Sequence, residues 1–173
     1  MIYIKDDKIS LVRYRHEDDK DMYDCWNDIE TQKGFNSIFD KNFEEFCNFN
    51  IDKYRFWASI ISKEKRCSVG TVRLCSDVAN PDLAIWIYKP YRCKGYGTKA
   101  FSLAMEFCFT NYHLNEIAAG CYEDNIKSFK MLNKLCFIRN EKDDSLEKNI
   151  FTGERTTQLA FRITYDDYIR RRK

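Results

Sequence analysis

The chain has 173 residues, 44% of them hydrophobic and 16% aromatic, enough for one domain (1–173) with a dense core and too apolar for a disordered segment. A net charge of +2 is too small to make nucleic acid the main partner, and the basic Arg170-Arg171-Arg172-Lys173 end reads as a solvated tail. No apolar run approaches the length of a membrane span.

Eight cysteines stand at positions 25, 47, 67, 75, 93, 108, 121 and 136, with no Cys-x-x-Cys among them, and the histidines are His16 and His113. That spacing offers no zinc site, so no metal is expected. Several of the cysteines fall in apolar segments, where a free thiol behaves as a small hydrophobe. The opening Met1-Ile2-Tyr3-Ile4-Lys5-Asp6-Asp7 turns polar at once, unlike a signal peptide. Free thiols without a leader predict a reducing, cytoplasmic setting.

In chain order, residues 9–15 alternate well enough for a first strand, and His16-Glu17-Asp18-Asp19 supplies helix-start chemistry for an apolar face of Met22, Tyr23, Cys25 and Trp26. Residues 31–41 read as a loop or short helical turn. Asn42 with Glu45 has the spacing of a capping box for a helix holding Phe43, Phe46, Cys47 and Phe49. Residues 56–61 and 67–75 read as two strands around a charged turn at 62–66, and Ser76 to Pro81 as the next turn. An apolar run, Leu83 to Tyr88, predicts the central strand. A long helix follows through Phe101, Leu103, Ala104, Met105, Phe107, Cys108 and Phe109. Residues 116–122 form another strand, and Asp124 or Asn125 caps a helix running to Leu135. Two last strands, 137–142 and 157–164, are joined by a polar hairpin with Gly153 near its tip, and 166–172 reads as a short helical end. The pattern predicts an α/β (α+β) fold, a mixed sheet with helices on its faces.

Between the central strand and the long helix lies Lys89-Pro90-Tyr91-Arg92-Cys93-Lys94-Gly95-Tyr96-Gly97-Thr98. Two glycines open space in front of free helix N–H groups, and Arg92 and Lys94 add charge, so a phosphate or pyrophosphate is the ligand the loop favours. No Gly-Lys-Ser/Thr closes it, which excludes a Walker A loop. Gly95, Gly97 and Ala100 satisfy the dinucleotide pattern Gly-x-Gly-x-x-Ala, but six residues separate the strand from the first glycine, where the dinucleotide fold turns immediately.

As Arg-x-x-Gly-x-Gly after a strand with an aromatic end, the loop resembles the acetyl-CoA pyrophosphate loop of the GNAT acetyltransferase superfamily. The run Asn125-x-x-Ser128 followed by Lys134-x-Cys136-Phe137 is similar to that superfamily's second acetyl-CoA motif, in the form used by the RimJ/RimL-like branch. Cys136 replaces the usual glycine. The resemblance covers nearly the whole chain. It implies a splayed central sheet of about seven strands with helices on both faces, and acetyl-CoA entering where the central strand and the next one part. It further implies that Ile87 and Tyr88 offer backbone groups to the pantetheine arm, that Arg92, Lys94, Gly95, Tyr96, Gly97 and Thr98 hold the pyrophosphate, and that Asn125 reaches the arm. Helix capping is an alternative role for Asn125. Lys130 and Lys134 are outer phosphate candidates or a solvated face.

The implied reaction is N-acetylation of a primary amine, on a peptide N-terminus or a small molecule, by direct transfer in a ternary complex. Many relatives place a proton-donating tyrosine one residue after the position of Met131; here it is Leu132. Ser128 is the substitute donor, with Tyr122 a weaker one. The base stays open among Asp82, at the entrance of the central strand, Glu123, Asp124 and water. No Cys/His/Asp grouping suggests an acyl-enzyme. Trp26, Phe35, Phe39 and Trp57 are acceptor-pocket or core residues. The alternatives are a catalytically weak acyl-CoA-binding sensor and, on the dinucleotide pattern, an oxidoreductase. A homodimer is left open.

Overall fold

The computed structural model describes residues 1–75 and 80–170. Residues 76–79 of the expected turn and 171–173 of the basic end lie outside them.

Strands β1 (Ile2–Lys5) and β2 (Ile9–Arg13) open the chain as an antiparallel hairpin. β1 falls in the opening segment, where the sequence reading placed no strand. Asp6 makes it a strand end, its Oδ1 accepting from the amides of Lys8 and Ile9, both at 2.8 Å, and so turning the chain. Three helices follow: α1 (Asp19–Asn27), α2 (Ile29–Gly34) and α3 (Phe43–Cys47). The capping box at α3 is formed in both directions, Glu45 N–H to Asn42 and Asn42 N–H to Glu45 at 2.9 Å each.

Strands β3 (Phe56–Ser62), β4 (Cys67–Leu74) and β5 (Leu83–Ile87) complete an antiparallel sheet in the order β1-β2-β3-β4-β5. Both faces of β5 are covered. Leu83, Ile85 and Ile87 pack toward one core, and Trp86 and Tyr88 toward another, which is why this strand reads as an unbroken apolar run.

The long helix α4 (Tyr96–Tyr112) lies on the first of these faces. Ala100, Ala104 and Cys108, four apart and all 0% exposed, let it sit close to the sheet, flanked by Phe101, Met105 and Phe109. The opposite face carries α1 to α3 over an aromatic cluster, in which Tyr14 stacks on Trp57 at 4.3 Å.

β6 (Glu116–Tyr122), α5 (Ile126–Lys134), β7 (Ile138–Arg139), β8 (Ser145–Lys148), β9 (Arg155–Thr164) and α6 (Tyr165–Arg170) form the rest. β9 is the middle of a second antiparallel sheet, with β6 on one side and β7 then β8 on the other. The described residues therefore hold nine strands rather than about seven. The additions are β1 and β8, and β7 is shorter than its sequence suggests. An Arg139–Asp144 pair at 2.6 Å holds the kink between β7 and β8. The two sheets meet through β5 and β6, which are parallel and joined by one bridge, Asp82 to Ala118, with Ala118 N–H donating to Pro81 O at 2.8 Å. Beyond it they part, giving the splayed arrangement.

One glycine makes the β5 approach feasible. Between Ser59 and Ile61 the β3–β4 register shifts, so that Val69 and Gly70 together oppose Ile60, a bulge. A Cβ on Gly70 would lie 2.2 Å from the Trp86 carbonyl oxygen. Gly70→Ala is expected to lower unfolding free energy by about 3 kcal/mol, through backbone displacement of β5; urea denaturation with an unchanged midpoint would refute this.

Candidate active site

The ladder between β4 and β5 decides which backbone groups of β5 are free. Tyr88 N–H donates to Val69 O at 3.0 Å and Cys75 N–H to Asp82 O at 2.8 Å. Antiparallel pairing alternates, so even-numbered residues of β5 bond to β4, while the amides and carbonyls of Ile85 and Ile87 face the gap on the β6 side. Tyr88, expected to offer its backbone to a ligand, instead spends its N–H on Val69, and its carbonyl accepts from Tyr91 N–H at 2.8 Å. Ile85 occupies the free edge in its place, a consequence of register that apolar patterning cannot reveal.

At the open end of the gap stands the glycine loop. Cys93 (φ 59°) and Gly95 (φ 84°) are both left-handed, which curls successive amides toward one point. α4 begins at Tyr96, and Lys99 N–H is bonded to Gly95 O at 3.2 Å. The amides ahead of it belong to the first turn, where a helix supplies no acceptor of its own. Space beside Gly95 is open to at least 4 Å, and a Cβ on Gly97 would point at Ile87 and the Met131 sulfur, 3.5 and 3.7 Å away. Gly97 and Thr98 both line the cleft.

The charged side chains of the loop are less available than their sequence position suggests. Arg92 turns back beneath it. Its Nε–H donates to Ile87 O at 3.0 Å, one Nη to Asp28 Oδ2 at 2.6 Å and the other to Thr31 Oγ1 at 2.8 Å. The guanidinium is thus a brace tying the start of α2 to the end of β5. Burial alone would raise the Asp28 carboxyl, but Arg92 and Lys89 outweigh it and hold it below its ordinary range. Lys94 reaches back to Pro90 O at 2.8 Å, while the Tyr96 hydroxyl bonds Ser62 Oγ at 3.0 Å, leaving its backbone as the part that faces the loop.

Across the gap, Asn125 caps α5 by accepting from Ser128 N–H at 3.2 Å. Its Nδ2 is directed at α2, where a Cβ on Gly34 would come within 3.2 Å of it. Capping and facing the cleft are therefore compatible in one side chain. Two connected hollows result. The outer, about 520 Å³, runs from Arg92, Gly95, Gly97 and Thr98 to Asn125 and Ser128. The inner, about 400 Å³, continues between Asp82–Ile85 and Ala118–Tyr122. Gly34, Phe35, Ile85, Asn125, Ser128 and Met131 line both. Of the expected acceptor-side aromatics, Phe35 faces these hollows, stacked on Trp86 at 5.0 Å. Trp57 is core, 4% exposed, and Trp26 and Phe39 pack against that core. Leu132 is also core, 1% exposed, at the wall of the inner hollow.

All eight cysteines are free thiols. Burial pushes Cys108 up to about 12 and Cys121 up to about 11, far from nucleophilic range. Folding brings His16 and Asp19 together. Asp19, 1% exposed, accepts from Tyr14 O–H and contacts His16 Nδ1, both at 2.7 Å. Asp19 is the shared acceptor at the start of α1, and these residues line neither hollow. Among the described residues no group of three or more His, Cys, Asp or Glu could hold a metal, and no helix is long and apolar enough to cross a membrane.

A parted parallel strand pair with a glycine loop and a helix start at its open end makes a cleft for an extended ligand with an anionic end. The family model described as Acetyltransferase (GNAT) domain matches residues 7–138, and the chain belongs to that family. It is 22% identical over 138 residues to the N-acetyltransferase YnaD of Bacillus subtilis, itself uncharacterized, covering 78% of this chain and 81% of that one. It is 33% identical over 100 residues to mouse alpha/beta-tubulin-N-acetyltransferase 9, covering 54% of this chain and 42% of that protein. The fold matches spermidine N-acetyltransferase from Vibrio cholerae, solved in complex with CoA and spermine, with a TM-score of 0.83 at 16% identity over 95% of this chain and 99% of that one. The chain is an acetyltransferase of the GNAT family.

The Arg92 brace makes a prediction. Arg92→Lys keeps the charge but not the three-way fork, and should lower unfolding free energy by about 2 kcal/mol. Because the folded Asp28 carboxyl is depressed, its contribution is present above the ordinary carboxylate range and is lost as pH falls through the folded value. The wild-type advantage over Arg92→Lys should therefore shrink in acid; an equal gap at pH 3 and pH 7 would exclude the brace.

Proposed function

We propose that the chain transfers the acetyl group of acetyl-CoA to a primary amine by direct attack in a ternary complex, as a RimJ/RimL-like N-acetyltransferase. The observation carrying this reading is the unpaired edge of β5 beside the glycine loop. An extended amide chain can take the place of the absent strand, bonding the Ile85 and Ile87 backbone, and costs less than leaving that edge bare. The first-turn amides of Gly95 to Thr98 would hold the pyrophosphate, with Lys94 as an outer charge. Asn125 Nδ2 would meet the arm from the far wall. Arg92 serves by fixing the Ile87 carbonyl and the α2 wall rather than by touching phosphate. Acetyl-CoA, when bound, supplies the activated thioester.

Ser128 faces both hollows one turn into α5, where Leu132 carries no proton. In this reading its hydroxyl passes a proton toward the leaving sulfur. Phe35, which lines both hollows and is backed by Trp86, forms the acceptor-side wall, so the acceptor presents an amine on a body able to lie against an aromatic ring. The recognition pattern Asn125-x-x-Ser128 supports the RimJ/RimL-like assignment.

The buried Leu132 favours a second reading, an acyl-CoA-binding sensor that keeps the cleft without turnover. Free-thiol release from acetyl-CoA over a panel of peptides and small amines separates the two. Release with at least one amine is expected; binding without release from any would favour the sensor. Two substitutions test the parts. Gly97→Val sends methyl groups toward Ile87 and Met131 and should abolish acetyl-CoA binding in calorimetry while the chain stays folded. Ser128→Ala should lower turnover on the order of 10²-fold with acetyl-CoA affinity little changed. Full affinity in Gly97→Val would remove the cleft assignment, and unchanged turnover in Ser128→Ala would remove Ser128 from the mechanism.

A further inference from the structure

The carboxylates that line the two hollows differ sharply in what surrounds them. Glu30 is bound to Arg92 at 3.3 Å and lies 3.7 Å from Lys127. Asp143 is paired with Arg162 at 2.6 Å. Asp124 is exposed at the mouth. Of the other sequence candidates, Glu123 accepts from Thr157 N–H at 2.8 Å and lines neither hollow. Asp82 is the exception. It lines the inner hollow, its side chain takes a weak contact from the Cys75 thiol at 3.6 Å, and no ion pair with a described cation is formed.

The charged neighbour that could neutralise Asp82 is drawn elsewhere. Arg73, on β4 two residues before the Cys75 that faces Asp82, holds its guanidinium over three rings, 4.4 Å from Tyr54, 5.1 Å from Trp86 and 5.2 Å from Trp57. Its Nε is buried without a hydrogen-bond acceptor. Around Asp82, then, stand the Cys75 thiol and Arg73 on β4. Farther along the hollow are Arg162 on β9, committed to Glu116 and Asp143, and Asp143 itself. β6 presents the backbone of Ala118. Burial dominates this balance and raises the Asp82 carboxyl above its ordinary range, although Cys75 and Arg73 both work against it.

Position completes the argument. Asp82 sits at the bridge where the gap closes, five residues along the strand from Ile87, roughly 16 Å at the usual strand rise. An arm entering at Gly97 and running along the free edge of β5 is carried toward this end. We propose that Asp82 is the base that accepts a proton from the acceptor ammonium in the inner hollow. The inference rests on reading the cleft as an acetyl-transfer site. Carboxylate and ammonium become carboxylic acid and neutral amine, so two charges that the hollow solvates poorly disappear together, and the nitrogen lone pair is released for attack.

The test uses the full chain. Asp82→Asn should lower kcat/KM for an accepted amine roughly 10²-fold and flatten the acidic limb of its pH profile, with acetyl-CoA affinity unchanged by calorimetry. Asp82→Glu should keep the limb. Two readouts need no turnover. Carboxyl-carbon NMR of the free protein should show Asp82 titrating above the ordinary aspartate range. Because a raised folded carboxyl removes stability as pH rises through that range, Asp82→Asn should also melt higher than wild type at pH 7. An active Asp82→Asn with the wild-type pH profile would overturn the assignment of Asp82 and leave the transferase standing. An Asp82 carboxyl that titrates with the surface aspartates would overturn it as well. If Asp82→Asn does not fold, the NMR titration and Asp82→Glu decide, and loss of the acidic limb in Asp82→Glu would count against the proposal. A wild-type chain that binds acetyl-CoA but acetylates no amine would overturn both readings.

Discussion

The structure depends on one strand edge that is left without a strand. β5 is paired along β4 and, among the described residues, joined to β6 only at Asp82 and Ala118, so the outward amides of Ile85 and Ile87 and the Ile85 carbonyl form an open row. Such an edge is a liability in most proteins. Here it is guarded. Arg92 Nε–H satisfies the Ile87 carbonyl, α2 and α5 stand on either side of the mouth, and Gly34 lets Asn125 come close. The guard positions a ligand as well as protecting the edge, because whatever enters must be thin, extended and able to bond both faces of a peptide-like ladder.

Around that edge the two cores play unequal parts. Beneath it, small residues of α4 allow a close aliphatic layer that fixes the glycine loop against the strand. Above it, the aromatic layer of α1 to α3 is built from rings that meet at several angles, and Phe35 is its contribution to the cleft. The thiols within these layers, Cys25, Cys108 and Cys121, are raised by burial.

Much of the fold was legible because its cues are local. The capping box at Asn42 and Glu45, the glycine loop after an apolar run, and the Asn125 cap are each decided within a few residues, and each is found where the sequence places it. β1 and β8 were missed because neither is marked by apolar alternation; each is held by pairing with a neighbour brought round by a turn. The site was legible as a loop and a helix start but not as a set of side-chain directions. Arg92 follows a strand end in sequence, which says nothing of Asp28 lying 64 positions earlier and capturing its guanidinium. Asp82 looked peripheral at the entrance of its strand, and only the parallel bridge to Ala118 turns that entrance into the closed end of a cavity.

The single bridge between the sheets also bears on how the chain opens. β1 to β5 pair in sequence order, but β3 reaches β2 only after α1 to α3, and β9 reaches β6 only after α5, β7 and β8, so each sheet contains one long-range closure of the kind that slows folding. With no continuous ladder between them, the sheets are coupled by side chains, through one core that runs from Ile9 and Phe56 past α4 to Ile117 and Phe161. A molecule occupying the gap would add backbone rungs to a coupling otherwise carried by packing and that one bridge.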